Sequence, residues 1–253
     1  MSDYPPPPPP PSSPPPPPPG QGYGGYGPPP SQPFSVGAAF GFGWRAFWRN
    51  AGPFVLVALL MWVVNAVLQG IGTSLSGGGV STSTVNGSTF SAGASGISFL
   101  FSILASVANV FFNAAMVRGA LDVADGRPVS VGSMFERWNK GTVLVAALIV
   151  AVLTIVGLVL CLLPGVVFAF LAWFTTFFIV DRGMPAWDGV KASVSFSSAN
   201  VGPLLLCALL GFLVLVAGLL VCIVGLLAAS PIVTLATAYA YRSLQGQPVT
   251  STV

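Results

Sequence analysis

Every charged residue of this chain lies outside its long apolar stretches, and this one-sided distribution constrains the fold more than any other feature. Of the 253 residues, 54% are hydrophobic and only 6% are charged, whereas soluble domains carry about 25% charged residues. Long uncharged apolar runs are typical of helices that cross a membrane. The sequence therefore predicts an all-α membrane protein.

Six apolar runs are long enough to be transmembrane helices. A spanning helix needs about 20 apolar residues at a rise of about 1.5 Å per residue. Pro164-Gly165 and Gly225 are expected to make tight turns within the last two pairs of runs. The alternative, one unbroken helix per pair, would far exceed a hydrocarbon core of about 30 Å. The predicted spans are residues 53–71, 97–117, 142–163, 165–180, 203–224 and 226–241.

Alternate connections between these spans differ in charge, which predicts the orientation. The connection at residues 72–96 and the two tight turns carry no charge, and the remaining connections and flanks carry all nine basic residues. By the positive-inside rule, both termini are predicted to face the cytoplasm. The basic residues are Arg45, Arg49, Arg118, Arg127, Arg137, Lys140, Arg182, Lys191 and Arg242.

The first 33 residues have a composition that disfavours folding. They hold 17 of the 24 prolines, and proline removes a backbone donor while fixing φ. Because the segment also has little apolar surface to bury, we expect residues 1–33 to be a disordered, Pro/Gly/Tyr-rich cytoplasmic arm. Residues 34–245 would form the six-helix domain, and residues 246–253 a short cytoplasmic tail.

An internal repeat relates the last two predicted hairpins at an offset of 61 residues. Asn139-Lys140-Gly141 matches Asn200-Val201-Gly202, and the run from Gly157 to Cys161 matches the run from Gly218 to Cys222. A related corner, Asn50-Ala51-Gly52, precedes the first hairpin. At these Asn-x-Gly corners, a helix cap is favoured over a ligand site. The corner residues are Asn50, Gly52, Asn139, Gly141, Asn200 and Gly202.

Each corner follows an amphipathic segment with apolar residues at helical spacing. Such helices lie in the headgroup plane of a membrane. The fold is therefore predicted to be three hairpins, each preceded by an interfacial helix. The apolar positions are Phe40, Trp44 and Phe47 in the first segment, Val131, Met134, Phe135 and Trp138 in the second, and Trp187, Val190 and Val194 in the third.

A resemblance to a known group rests on these motifs: Trp44 with Asn50, Phe135, Cys161-Leu162-Leu163-Pro164-Gly165, Ile179-Val180-Asp181, Ala186, Ser193, and Pro231 with Tyr241-Arg242-Ser243. The chain resembles multi-pass bacterial membrane proteins that include the proline- and glycine-rich transmembrane proteins of high-GC actinobacteria. This group is in turn similar to the membrane domain fused to some glycerophosphodiester phosphodiesterases. The resemblance covers about residues 34–245 and implies architecture; no phosphodiesterase domain accompanies it here, so that activity is not implied. The resemblance also implies that the chain lies in a bacterial cytoplasmic membrane.

The residues that perform most chemistry are missing from the predicted spans. The chain has no histidine, no span contains a carboxylate, and no phosphate-binding or nucleophile motif is present. No catalytic residue, cofactor or metal site is therefore predicted. A net charge of +3 without a basic run excludes a nucleic-acid partner. Membrane lipid is the expected surrounding.

The polarity that remains in the spans is amide, hydroxyl and thiol. Asn65, Asn109 and Asn113 are expected to form hydrogen bonds between helices or, alternatively, to line an uncharged polar cleft. Cys161 and Cys222 occupy equivalent repeat positions, so a disulfide is conceivable, although apolar packing is favoured. Asp181, Arg182, Asp188 and Lys191 are expected to form a balanced, charged cytoplasmic loop that faces solvent or lipid headgroups. A partner-docking site is the alternative.

Two functional hypotheses follow from this pattern. The first is a non-enzymatic membrane scaffold that recruits a cytoplasmic protein through residues 1–33 and the interfacial helices. The second is a transporter or lipid-handling protein with an uncharged polar cavity between the hairpins. A continuous polar path between the hairpins would favour the second hypothesis, and solid packing would favour the first.

Overall fold

The computed structural model describes residues 34–75, 84–85, 88–89, 96–221 and 223–250. The predicted arm at residues 1–33 and Cys222 lie outside this part of the chain. A two-stranded antiparallel ribbon pairs β1 (Thr84–Val85) with β2 (Ser88–Thr89). All other regular structure is helical, which confirms the all-α prediction. The helices are α1 (Val36–Arg49), α2 (Ala51–Leu75), α3 (Gly96–Ala124), α4 (Val131–Phe135), α5 (Lys140–Leu160), α6 (Leu162–Leu171), α7 (Thr175–Arg182), α8 (Ala186–Ala199), α9 (Val201–Leu220) and α10 (Ile223–Leu244).

Within the described residues, five helical segments are long and apolar enough to cross a membrane. They are Ala51–Leu75, Gly96–Ala124, Lys140–Leu160, Leu162–Arg182 and Val201–Leu220. Large apolar side chains on these segments are exposed in the isolated chain, reaching 81% at Val159 and Leu220. Surfaces of this kind are stable only in contact with lipid or another apolar surface. The protein is therefore a polytopic membrane-type helical protein.

The turns predicted at Pro164-Gly165 and Gly225 lie elsewhere. The chain breaks at Cys161, whose extended backbone separates α5 from α6. Pro164 falls in the first turn of α6, where its missing N–H has no helical partner to lose. Gly165 and Gly225 instead permit close helix contacts. A Cβ on Gly165 would lie 2.5 Å from Leu158 N, and one on Gly225 would overlap the Gly218 carbonyl oxygen.

The second predicted amphipathic helix is wrong beyond its first turn. Ser130 caps α4 through a reciprocal pair of bonds with Ser133, but the helix ends after five residues. Arg137 then adopts the left-handed region at φ 61°. Trp138 consequently leaves the helix, although its indole Nε1 still donates to the Met134 carbonyl at 3.0 Å.

The helix α1 buries one face inside the protein, a contact that the sequence did not predict. Trp44 is 55% exposed, while the face formed by Ala39, Phe42, Gly43, Ala46 and Phe47 is buried. A Cβ on Gly43 would lie 2.7 Å from the Ile232 carbonyl oxygen of α10. Ile232 precedes the charged residue Arg242 by about 15 Å of helix. The helix α1 therefore contacts α10 well before the charged end of α10. A small residue such as Gly43 allows this close approach.

The buried core lies at one end of the helices. In α3, all residues from Ala114 to Ala124 are buried, but Ala105 is the single buried residue before them. In α5, the buried residues are Val143 and Ala146, both near its start. The C-terminal parts of α3, α7 and α10 surround this core with the start of α5. The buried ion pairs of Asp122 and Arg242 lie at this end of the helices.

A side chain from α8 holds the break between α6 and α7. The Ser193 hydroxyl is fully buried; it donates to the Leu171 carbonyl at 2.7 Å and accepts from the Phe174 N–H at 3.1 Å. These two backbone groups lose their helical partners where the segment Leu162–Arg182 is interrupted. Ser193 thus replaces both missing bonds and ties α8 to the interrupted segment.

Candidate functional site

Three helix ends meet in an ion-pair network at the charged end of the core. Arg242 Nη2 of α10 lies 2.6 Å from Asp181 Oδ1 of α7 and 3.0 Å from Asp125 Oδ2, just beyond α3. The Tyr241 hydroxyl donates to Asp181 Oδ2 at 3.1 Å. Arg242 is only 7% exposed. A charge-assisted pair with this geometry and burial fixes the relative positions of the three helix ends.

Asp122 forms the second half of the network. Its side chain is fully buried; Oδ1 lies 3.0 Å from Arg118 Nη2 and 2.7 Å from Arg127 Nε. Arg137 Nη2 approaches the other oxygen at 3.5 Å. Arg127 bridges the halves by also donating to Asp125 Oδ2 at 2.7 Å. A buried carboxylate needs such partners, because an uncompensated charge costs several kcal/mol.

Burial and pairing act in opposite directions on Arg242. Burial alone would lower its pKa, but the bonds to Asp181 and the nearby charge of Asp125 outweigh that effect and raise the pKa. Within the described residues, Arg242 Nε, Arg118 Nε and Asp122 Oδ2 remain without hydrogen-bond partners. The network is therefore strongly charged, tightly paired and incompletely hydrogen-bonded.

The C-terminal segment folds back onto the network. Gln247 Oε1 accepts from Arg242 Nη1 at 2.7 Å, and the Gln245 side chain accepts from Arg182. The Thr250 backbone N–H donates to the Ala124 carbonyl at the end of α3, 3.0 Å away. Part of the predicted tail is thus integrated into the charged end of the core.

The solvated surface expected around Asp181 is wrong for that residue. The Asp181 side chain is only 12% exposed, because Arg242 and Tyr241 enclose it. Asp188 and Lys191 are 60% and 62% exposed and form a loose pair at 3.8 Å. Sequence reasoning missed Asp122, Arg118 and Arg242 as a site. The i,i+4 spacing of Arg118 and Asp122 on the helix that continues the second apolar run was the available signal.

The structure joins Asn65 to Asn109. Asn109 Nδ2 donates to Asn65 Oδ1 at 2.8 Å, and Asn65 Nδ2 returns a bond to Asn109 Oδ1 at 3.2 Å. Each amide also donates to the carbonyl four residues earlier in its own helix. These contacts connect α2 and α3 and border a cleft of about 400 Å³, lined by Met61, Trp62, Asn65, Ala66, Gln69 and Asn109.

Asn113 lies apart from that pair in a second cavity. This cavity of about 90 Å³ sits between α3, α10 and the segment around α7. Among its lining residues, the hydroxyls of Thr234 and Thr237 donate to helical carbonyls at 2.9 and 2.8 Å. The two cavities share no lining residue. Three asparagines predicted to line one cleft thus contribute to two separate places.

The three Asn-x-Gly corners use their amides differently. Asn139 Oδ1 accepts from the Thr142 N–H at 3.1 Å, at the start of α5. Asn50 and Asn200 instead donate to the Ala46 and Phe196 carbonyls, at 3.0 and 2.9 Å, at the ends of α1 and α8. All three amides thus satisfy groups at a helix end. A Cβ on Gly52 or Gly202 would meet nothing within 4 Å, and one on Gly141 would meet only Asn139 Oδ1 at 3.4 Å.

The cysteines fall in different surroundings. Cys161 is exposed between α5 and α6, and Cys207 is buried in α9. Because Cys222 lies outside the described residues, the pairing of Cys161 with Cys222 stays a prediction. Within the described ranges, no group of His, Cys, Asp and Glu could hold a metal ion.

Comparison with known proteins places the chain among mycobacterial relatives. No protein-family profile and no solved structure matches it. The chain is 35% identical over 246 residues to the uncharacterized protein Mb2590 of Mycobacterium bovis, covering 89% of this chain and 75% of that protein. It is 34% identical, with the same coverage, to the uncharacterized proteins MT2637 and Rv2560 of Mycobacterium tuberculosis. The chain therefore belongs to the family of these mycobacterial proteins.

Proposed function

We propose that the protein is a non-enzymatic scaffold of the bacterial cytoplasmic membrane that recruits a cytoplasmic protein partner. Six spans would form three hairpins, with residues 226–241 of α10 as the sixth span and both termini inside. The observation that carries the proposal is the buried network centred on Asp122 and Arg242. The charged side chains of this network hold the helix ends in fixed positions. A rigid platform for a partner requires such fixed positions.

The geometry of the network favours a structural role over a catalytic one. Asp122 is enclosed by three arginines, and Asp181 by Arg242 and Tyr241. A general acid or base must reach a substrate proton. The carboxylates of Asp122 and Asp181 already accept hydrogen bonds from guanidinium groups. This pairing favours a role in linking helices over a role in proton transfer. We therefore propose that this site performs no catalysis.

Exposed aromatic and basic side chains on α1 and α8 supply a surface for the proposed platform. Trp44 and Trp48 of α1 are 55% and 62% exposed, and their rings meet edge to face at 5.8 Å. On α8, Lys191 Nζ lies 5.7 Å from the ring centre of the exposed Trp187. Amphipathic rings of this kind suit the membrane–water boundary. The cytoplasmic partner would bind at this surface of α1 and α8, and residues 1–33 would extend the binding surface into the cytoplasm.

Deletion of the arm tests recruitment. The full-length chain and a chain lacking residues 1–33 would be cross-linked in native membranes and purified under identical conditions. A chain lacking residues 251–253 is the matched control for a terminal deletion. We expect at least one cytoplasmic protein to be lost with the arm and retained in the control. An unchanged partner set after deletion of the arm would contradict the recruiting role.

The cleft beside Asn65 and Asn109 favours lipid handling as a second candidate. Its volume of about 400 Å³ falls in the range of small-ligand sites. The clustering of Trp62 and Met61 around two amides would suit an acyl chain with a polar group attached. Reconstituted protein should then accelerate lipid exchange between vesicles, and filling the cleft by Ala66→Phe should slow that exchange. Equal rates for protein-containing and empty vesicles would remove this candidate.

A further inference from the structure

The smaller cavity has an arrangement that neither the network nor the scaffold role uses. It lies between three helical segments, and each contributes an uncharged polar side chain: Asn113 from α3, Thr176 from α7, and Thr234 and Thr237 from α10. Val117, Trp173, Phe177 and Val233 complete its wall. No charged residue is among these eight. The cavity therefore combines hydrogen-bonding groups with apolar walls.

The polar groups share one depth relative to the charged network. Asn113, Thr176 and Thr237 each precede a network residue by five positions, namely Arg118, Asp181 and Arg242. Since the C-terminal parts of the three helices meet at the network, the polar groups lie about 7.5 Å above it. We place the network at the level of the headgroups. The polar groups then lie near the boundary between headgroups and acyl chains, a zone about 5–10 Å deep.

The hydrogen-bonding capacity of the cavity is divided between donors and acceptors. Thr234 and Thr237 donate to the Ser230 and Val233 carbonyls, so their hydroxyl oxygens can only accept from a ligand. Among the described residues, no hydrogen bond occupies the Asn113 amide or the Thr176 hydroxyl. These two groups can donate to a carbonyl oxygen placed between α3 and α7.

Size and opening restrict what can enter. The volume of about 90 Å³ corresponds to about three water molecules at roughly 30 Å³ each. It admits an ester group with its neighbouring carbon atoms but excludes a sugar or a whole headgroup. Asn113 is exposed on the surface of a membrane-spanning segment, so the cavity opens sideways towards lipid. Attached chains can therefore remain outside.

We infer that this cavity binds the ester-bearing glycerol backbone of a membrane glycerolipid. The ester carbonyl accepts from Asn113 and Thr176, while the acyl chains leave past Asn113 into the bilayer. The inference rests on the proposed placement in the membrane and is independent of the scaffold role. It distinguishes ester-linked lipids from ether-linked lipids, which lack the carbonyl acceptor.

Competition between two lipids that differ only in this linkage tests the inference. The full-length protein would be stripped with detergent and placed in nanodiscs of equimolar diester and diether phosphatidylglycerol. Lipids retained after gentle extraction would be counted by native mass spectrometry. We expect the diester lipid to be retained in about 2- to 13-fold excess, the factor that one net hydrogen bond supplies. Equal retention would indicate non-selective lipid contact and overturn the inference.

Matched variants assign the selectivity to the cavity. Asn113→Leu with Thr176→Val should bring the retention ratio close to one, and Thr176→Ser should preserve the wild-type ratio. Thr73→Val on α2 is the control, because that hydroxyl bonds the Gly70 carbonyl and is not part of the cavity wall. Selectivity that survives the double substitution would overturn the site.

Two further outcomes remain distinguishable. If the double variant does not fold, the comparison of Thr176→Val with the wild-type chain decides, since valine nearly matches threonine in shape but lacks the hydroxyl donor. If the wild-type chain does not enter nanodiscs at all, the membrane placement underlying the proposed function fails as well. Equal lipid retention by a well-inserted chain contradicts the cavity proposal alone.

Discussion

Arg242 of α10 donates hydrogen bonds to both carboxylate oxygens of Asp181 in α7, from Nη2 to Oδ1 at 2.6 Å and from Nη1 to Oδ2 at 2.8 Å. The two residues are 61 positions apart in the sequence. A third contact joins the same guanidinium to Asp125 at 3.0 Å. One side chain thus links the ends of three helices. The stability of the domain should therefore depend on this arginine more than on any exposed charge.

Substitution of Arg242 by methionine tests that dependence. Removing one partner of a buried pair leaves a charge unpaired, which costs about 3–5 kcal/mol of unfolding free energy. Lys191→Met is the matched control, since its pair with Asp188 is exposed and contributes at most about 1 kcal/mol. Unfolding in mixed micelles measures both. The double variant Asp181→Leu with Arg242→Met should be less destabilised than Arg242→Met alone. Equal losses for Arg242→Met and Lys191→Met would contradict the proposed importance of the network.

The reciprocal amide pair of Asn65 and Asn109 predicts a measurable coupling between α2 and α3. Alanine at either position should destabilise the domain by about 0.6 kcal/mol, the average for hydrogen bonds between helices in membranes. Because both residues serve one pair, the double variant should cost less than the sum of the single variants. Gln69→Ala, in the same cleft, provides the control. Strictly additive losses would mean that the pair does not form in the membrane.

The repeated glycines predict position-specific steric effects. A Cβ on Gly218 would lie 2.8 Å from the Ala229 Cβ and 2.9 Å from the Gly225 carbonyl oxygen. Gly218→Ala should therefore lower stability by about 1–3 kcal/mol through overpacking. Gly202→Ala, in the same helix with nothing within 4 Å, should be neutral or stabilising by up to about 1 kcal/mol. Thermal unfolding in detergent compares them, and a reversed order would refute the close contact.

The proposed orientation predicts which ends of the helices face the cell exterior. Cys161 is exposed at the junction of α5 and α6 and should react with a membrane-impermeant maleimide in intact cells. Lys191→Cys should react only after permeabilisation. Both measurements use a chain in which Cys207 and Cys222 are alanine, and Lys191→Cys also carries Cys161→Ala. The opposite labelling pattern would invert the topology.

Local sequence patterns predicted the helical segments well because apolar length and charge act locally. The 61-residue offset paired Gly157 with Gly218, and both glycines lie at close helix contacts. At Gly165 and Gly225 the sequence predicted turns, but these two glycines also lie at close helix contacts. Glycine favours turns and close packing alike, and only the arrangement of the neighbouring helix distinguishes the two uses.

The candidate site was less predictable because it is built from distant residues. Asp122 ends an apolar run, a position typical of a surface charge, and its burial depends on Arg127 and Arg137 folding over it. The main partner of Asp181, Arg242, lies 61 residues later in the chain. Asp181, Ser193 and Arg242 were nevertheless among the residues that carried the family resemblance. Their hydrogen bonds give that pattern a physical meaning.

The position of Arg242 also makes the order of synthesis important. Asp122 and Asp181 emerge from the ribosome before Arg242. The carboxylate of Asp181 therefore has no contact with its main partner until α10 has been synthesised. The backbone bond from Thr250 to Ala124 closes the same end later still. A chain that stops before α10 therefore leaves the Asp181 carboxylate without Tyr241 and Arg242, its partners in the folded protein.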